Sequence, residues 1–174
     1  HKNWNNKAAD RKLIIVRPGV IYGPGDPGNI LRMIRAVKRG YFVLPVTPQI
    51  RKSYGYIYGL LESMLFTMQQ TGKELTYNYV EKETETLGTL IAIINKELGT
   101  NGKIIRFPLV FLKVTAAALY KIKPNLNGIH PERVKKVARP THIVPKVLQE
   151  KGFVFNYDFQ KSLVHWNGIA KDDF

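Results

Sequence analysis

The stretch that decides the fold is Lys12-Leu13-Ile14-Ile15-Val16, followed by Arg17-Pro18-Gly19-Val20-Ile21-Tyr22-Gly23-Pro24-Gly25-Asp26-Pro27-Gly28. The first five residues form a continuous apolar run behind a polar stretch. β-Branched side chains and a proline just beyond argue for a buried, parallel strand rather than a helix. The strand ends in a loop from Arg17 to Gly28, where four glycines and three prolines make a shaped, stiff connection instead of a flexible linker. Asn29 is expected to cap the next helix, which carries Ile30, Met33, Ile34 and Val37 on one face and stops at Gly40.

Working outward, Tyr41 to Val46 and Tyr54 to Tyr58 read as short strands. Leu60 to Gln69 reads as a helix whose Leu61, Met64, Leu65 and Met68 repeat at helical spacing and are expected to pack into the core. Leu75 to Val80 alternates like a strand. Thr84 or Thr86 then caps a helix with Leu87, Leu90, Ile91, Ile94 and Leu98 inward and Gly99 at its end. Lys103 to Phe107 is a further strand, followed by an apolar helix from Pro108 to about Ile122. From Pro124 onward prolines punctuate short helices, and the chain closes with a helix, a Gly152 turn, an extended stretch and a last helix containing Trp166. Strands alternating with helices give an α/β protein with about four or five strands.

Lys and Arg number 27 against 13 Asp and Glu, a formal charge of +14. With 44% hydrophobic residues the chain can bury a core, which excludes wholesale disorder. The lack of cysteine excludes a disulfide scaffold and thiolate metal sites and suits a reducing compartment, so a cytoplasmic location is expected. The apolar run Leu109 to Leu119 is broken by Lys113 and is too short for a membrane span, so no membrane partner is expected. The chain opens on His1 with neither an initiating Met nor a leader, and is expected to be a piece of something longer.

Gly23, Gly25 and Gly28 fit G-x-G-x-x-G, but the dinucleotide fingerprint places its first glycine directly off the strand. Here Gly23 lies seven positions past Val16, Pro24 and Pro27 have no N–H to offer a pyrophosphate, and no acidic residue occurs between Asp26 and Glu62. That acid-free stretch holds six cations (Arg32, Arg35, Lys38, Arg39, Arg51 and Lys52), so a cleft there would attract phosphate. Arg35, Lys38 and Arg39 flank an apolar stripe as a solvated face does, which leaves Arg51 and Lys52 as the better ligand candidates. A second basic group, Arg133, Lys135, Lys136, Arg139 and Lys146, raises the alternative of a nucleic-acid-binding or interaction module. Aromatics do not interleave with it, however, and no nucleic-acid motif accompanies it. His1, His130, His142 and His165 are isolated, so no metal site is expected, and no serine sits in a nucleophile elbow.

LIIVRPGVIYGPG resembles the end of the sixth strand and the following loop of the extended short-chain dehydrogenases/reductases, the NAD-dependent epimerases and dehydratases. KSYGYIYGLLESMLFTM, LTYNYVEKETETLGTLIAIINKELG and LQEKGFVFNYDFQKSLVHW resemble later segments of that family in the right order. The resemblance implies the C-terminal portion of a Rossmann-type fold, with few parallel strands plus a small mixed α/β substrate domain. Residues 1–28 would hold the tail of the catalytic helix, the last Rossmann strands and the substrate loop. Residues 29–174 would hold the substrate-binding domain, with some elements returning to the Rossmann sheet.

The same resemblance places the Gly-rich cofactor loop and the catalytic Tyr-x-x-x-Lys pair upstream, leaving no catalytic residue here and a chain inactive alone. Arg17, Pro18 and Gly19 would lie beside the nicotinamide of NAD or NADP, a cofactor expected in the full-length enzyme and not on this chain. Val20, Tyr22 and Gly23 would line the sugar pocket, and Asn29 and Arg32 would stand near the diphosphate. Arg51 or Lys52 would grip that diphosphate, joined by Arg133. The implied partners are a nucleotide-diphosphate sugar or similar anion, the N-terminal Rossmann part and a second copy in a homodimer. At Tyr58-Gly59-Leu60 the chain departs from the acidic residues many members carry after the strand.

Overall fold

The computed structural model describes residues 1–5, 7, 8, 10–44, 47–106 and 140–174. The expected helix from Pro108 to Ile122, the residues Pro45 and Val46, and Arg133 with its basic neighbours Lys135, Lys136 and Arg139 lie outside the described residues. The elements in order are α1 (Lys2–Asn5), β1 (Leu13–Pro18), β2 (Val20–Tyr22), α2 (Asn29–Lys38), β3 (Tyr41–Leu44), β4 (Tyr54–Tyr56), α3 (Ile57–Gln69), β5 (Glu74–Tyr79), α4 (Leu87–Leu98), β6 (Lys103–Arg106), α5 (Lys146–Glu150), α6 (Phe159–Ile169) and a 3₁₀ turn, Lys171–Asp173. The six strands pair two by two, all parallel: β1 with β5, β2 with β4 and β3 with β6. Parallel pairs joined through helices are the α/β class expected from the sequence.

The chain divides into two compact units. The first holds residues 1–26, 53–84 and 143–173, and the second holds 27–52 and 85–142. In the first, Tyr77, Tyr79 and Leu148 form a core onto which Ile14, Val16, Phe66, Phe153 and Phe155 pack. The LIIV run forms the expected parallel strand but is only half-buried. Among the described residues β1 is paired on one edge alone, with β5, so its other edge has no strand neighbour.

What reads as one loop after Val16 contains more structure. β1 persists to Pro18, Gly19 donates its N–H to Tyr79, and the next N–H, of Val20, already reaches the Ser53 carbonyl ahead of β4. Gly19 therefore carries the chain from one parallel neighbour to the next. A Cβ there would lie 2.7 Å from Val80 Cγ1 and 2.9 Å from Ser53 O, closer than any other residue tolerates.

The helix predicted from Leu60 begins earlier, at Ile57, and its orientation is the reverse of the expected one. Gly59, Ser63 and Thr67 face inward, while Leu61, Met64, Leu65 and Met68 are exposed. The close approach of Tyr79 explains the inversion, because a Cβ at Gly59 would stand 2.2 Å from the Tyr79 hydroxyl oxygen. The inward hydroxyls are satisfied locally, Ser63 donating to the Leu60 carbonyl at 2.7 Å and Thr67 to that of Met64 at 3.0 Å.

In the second unit α2 buries Ile30, Met33, Ile34 and Val37 as the spacing predicts, and Leu31 besides. Its N-cap is Gly28 with no side-chain cap, so Asn29 is the first helical residue and not the cap expected of it. α4 matches its local signals. Thr86 accepts the Thr89 N–H at 3.0 Å and Gly99 closes the helix in the left-handed conformation. Thr86→Ala is expected to cost about 1 kcal/mol, measured as a shift in urea midpoint, with Thr86→Ser nearly neutral.

Candidate functional site

In open parallel sheets ligands gather at the carboxyl ends of the strands. In the first unit those ends are Pro18, Tyr22, Tyr56 and Tyr79. Tyr22, predicted to line a sugar pocket, is fully buried. Its hydroxyl donates to the carboxylate of Glu81, itself buried, and its ring packs against Tyr54, Tyr56, Phe159 and Trp166. Burial, the Glu81 charge and the hydrogen bond to it hold the Tyr22 phenol well above its ordinary range. Burial likewise raises Tyr56 and Tyr79, and pushes Tyr54 up to about 12. Burial keeps these phenols protonated, those of Tyr22 and Tyr79 donate hydrogen bonds, and none is poised as a base.

Tyr56 and His165 Nδ1 share a 2.8 Å hydrogen bond, with the rings of Tyr58 and Tyr157 packed around the imidazole. In the sequence His165 stands isolated, because this neighbour lies 109 positions away.

One Tyr-x-x-x-Lys spacing, Tyr157 and Lys161, is also present in the chain. Tyr157 precedes α6, whose N-cap is Asp158, so the pair is not one turn apart on a helix face. Burial, then Glu62 and Tyr58, raise the Tyr157 phenol, the wrong direction for a general base.

The remaining predicted residues of this unit follow from the chain's path. Arg17, Pro18 and Val20 are exposed, and Gly19 is half-buried. Gly23 is buried with φ of 151°, where a Cβ would meet Ile57 Cγ2 at 2.5 Å. The Gly25 N–H is held by the Asp173 carboxylate at 3.1 Å, and the same oxygen accepts from the Trp166 indole at 2.7 Å. That amide is turned to a protein carboxylate, which agrees with rejecting the dinucleotide fingerprint.

The second unit contains a cleft of about 490 Å³ lined by Thr47, Gln49, Ile50, Arg51, Pro140, Thr141 and His142. Local bonds build it. A turn joins the Ile50 N–H to the Thr47 carbonyl, the Leu87 and Gly88 N–H groups at the start of α4 clip onto Ile50 and Pro48, and the Thr141 N–H bonds the Arg51 carbonyl at 3.1 Å.

The lining offers a guanidinium, an imidazole, two hydroxyls and a carboxamide beside apolar Ile50 and Pro140, with no carboxylate among the described residues. Its size falls in the range of small-molecule sites, and its chemistry suits an anion carrying an apolar or ring-shaped group. Among the described residues, Arg51 is the one sequence-predicted residue in this lining. Lys52 is half-buried, and burial lowers its pKa. Asn29 and Arg32 are exposed on α2 and are not part of the cleft lining.

The chain is 29% identical over 170 residues to the N-acetyl-α-D-glucosaminyl-diphospho-ditrans,octacis-undecaprenol 4-epimerase of Escherichia coli O157:H7, covering 93% of this chain and 50% of that protein. The human epimerase family protein SDR39U1, solved with NADPH, superposes with a TM-score of 0.67 at 14% identity, over 91% of this chain and 49% of the other. The UDP-N-acetylglucosamine 4-epimerase of Bacillus cereus gives 0.66 at 15% identity, over 97% and 52%. These structures share the Rossmann-type epimerase fold. The chain spans about half the length of each relative. No protein-family profile matches it.

Proposed function

We propose, for a chain of the NAD-dependent epimerase/dehydratase family that matches the C-terminal part of its members, that its task is to hold a sugar diphosphate for epimerisation. The observation that carries this is the cleft around Arg51, where the ionisable groups among the described lining residues are a guanidinium and an imidazole. The E. coli relative acts on N-acetylglucosaminyl-diphospho-undecaprenol, and the B. cereus neighbour is an epimerase of UDP-N-acetylglucosamine. Both substrates are N-acetylglucosamine linked to a diphosphate. Arg51 is suited to grip that diphosphate in a two-pronged bond, with the Thr47 and Thr141 hydroxyls and the Gln49 amide completing its shell.

In such enzymes NAD(P) supplies hydride transfer to and from the sugar. The residues here fit one edge of that cofactor and not its pyrophosphate. Arg17 and Pro18 are exposed at the carboxyl end of β1, as lining residues would be, whereas the Gly25 amide is already engaged by Asp173. Val20 extends the same exposed edge. Tyr22 and Gly23 are buried beneath the carboxyl end of β2 and contribute to the shape of that strand end rather than to an open surface. Arg32 and Lys52, described residues of the same unit as the cleft, add to that unit's positive charge. The nucleic-acid alternative has no support in the comparisons, which return epimerases.

The test is a titration of the chain with UDP-N-acetylglucosamine. Binding is expected to be weaker than micromolar for the isolated chain, and Arg51→Ala should weaken it by about 10-fold or more, the worth of one charge-assisted bond. N-Acetylglucosamine without the diphosphate should not compete. Equal affinity of the parent and Arg51→Ala would refute the assignment.

A further inference from the structure

We infer that His142 is a second ligand of the diphosphate, its imidazolium meeting the charge that Arg51 leaves over, so that the cleft tightens its hold as the pH falls. This deepens the sugar-diphosphate assignment and rests on it.

The charges on the two sides of the contact do not balance with Arg51 alone. A diphosphate esterified at both ends, as in a nucleoside-diphosphate sugar, carries one negative charge on each phosphoryl group. A guanidinium neutralises one of the two, whichever oxygens it bonds. Of the other described lining residues, Thr47, Thr141 and Gln49 bring neutral donors, and the side chains of Ile50 and Pro140 bring none. His142 is the remaining one, and an imidazole gains a positive charge within the range of pH 5 to 8 in which histidines ordinarily titrate.

The backbone brings the two residues to one place. The Thr141 N–H bonds the Arg51 carbonyl at 3.1 Å, so the segment that carries His142 runs against the one that carries Arg51. Arg51 is held in turn by a backbone bridge to Thr86, the residue that caps α4. Both Arg51 and His142 are exposed, open to an incoming anion. An anion beside an imidazole favours its charged form, so binding and protonation are linked. The other charged groups on these segments are Lys52, next to Arg51, and Glu85, next to Thr86, and neither is in the described lining.

The probe is UDP-N-acetylglucosamine, whose two phosphoryl charges stay the same between about pH 5.5 and about pH 8, so that a change in affinity belongs to the protein. Amide NMR titrations of the 174-residue chain should give a dissociation constant about 10-fold smaller at the lower pH, the worth of one charge-assisted bond. His142→Gln keeps a hydrogen-bond donor without the charge, and should bind at both pH values as the parent does at the higher one. His142→Arg should bind at both as the parent does at the lower one. Arg51→Ala should weaken binding at both pH values and keep the ratio between them. Parent-like binding by Arg51→Ala would sink the diphosphate assignment itself, whereas two other outcomes overturn the role of His142 and leave that assignment standing: equal affinity of the parent at the two pH values, or a pH dependence that His142→Gln retains, which would belong to Lys52, Glu85 or another group.

Discussion

Gly59→Ala is expected to destabilise the first unit by about 3 kcal/mol, the sum of overpacking and a disturbed buried hydrogen bond. The added methyl would stand 2.2 Å from the Tyr79 oxygen and 3.5 Å from Tyr157 Cδ2. Tyr79 cannot yield cheaply, since its ring is fully buried and its hydroxyl donates to the Tyr56 carbonyl at 3.1 Å. Either α3 lifts from β5 or that bond breaks. Gly168 on α6 is the control, because a methyl added there would meet nothing within 4 Å. Gly168→Ala should be neutral or stabilising by roughly 0.5–1 kcal/mol through helix propensity. Urea melts of the two variants decide the matter, and equal midpoints would contradict the packing described for α3.

The second large effect is alkaline. Tyr54 is pushed up to about 12, and Tyr22, Tyr56 and Tyr79 are also raised by burial, so the unfolded chain, with phenols near 10, releases their protons first. The stability these groups contribute is fully present below about pH 10 and is lost as the pH climbs through 10 toward their folded values. At about 1.4 kcal/mol per pH unit, the loss from Tyr54 alone is on the order of 2–3 kcal/mol between pH 10 and 12, and the other three add to it. Phenolate absorbance should therefore show at least four of the nine tyrosines ionising only with unfolding. Smooth titration of all nine near pH 10 with the fold intact would contradict these burial assignments.

What the sequence makes legible is what is local. The strand at Leu13, the buried face of α2 and both ends of α4 follow from runs, spacings and caps within a few residues of one another. α3 shows the limit of that logic. Periodicity states which side chains share a face, but the side that turns inward depends on Tyr79, 20 positions from Gly59, and on the small residues that let it approach.

Distance in sequence also hides the polar sites. Tyr22 and Glu81 meet across 59 positions, and Tyr56 and His165 across 109. The cleft joins Thr47 to Arg51 with Pro140 to His142, which share no motif. Arg51 was visible because a run of cations without carboxylates is a property of composition. His142 was not, because a lone histidine has no pattern until the fold gives it neighbours.

The central claim is that the cleft around Arg51 receives a sugar diphosphate. The most direct measurement is a residue-resolved amide NMR titration of the ¹⁵N-labelled chain with millimolar UDP-N-acetylglucosamine. The account predicts shifts clustered at Thr47, Gln49 to Arg51, Thr141 and His142, and their disappearance in Arg51→Ala. Shifts confined to other residues, or an identical pattern in the variant, would contradict it.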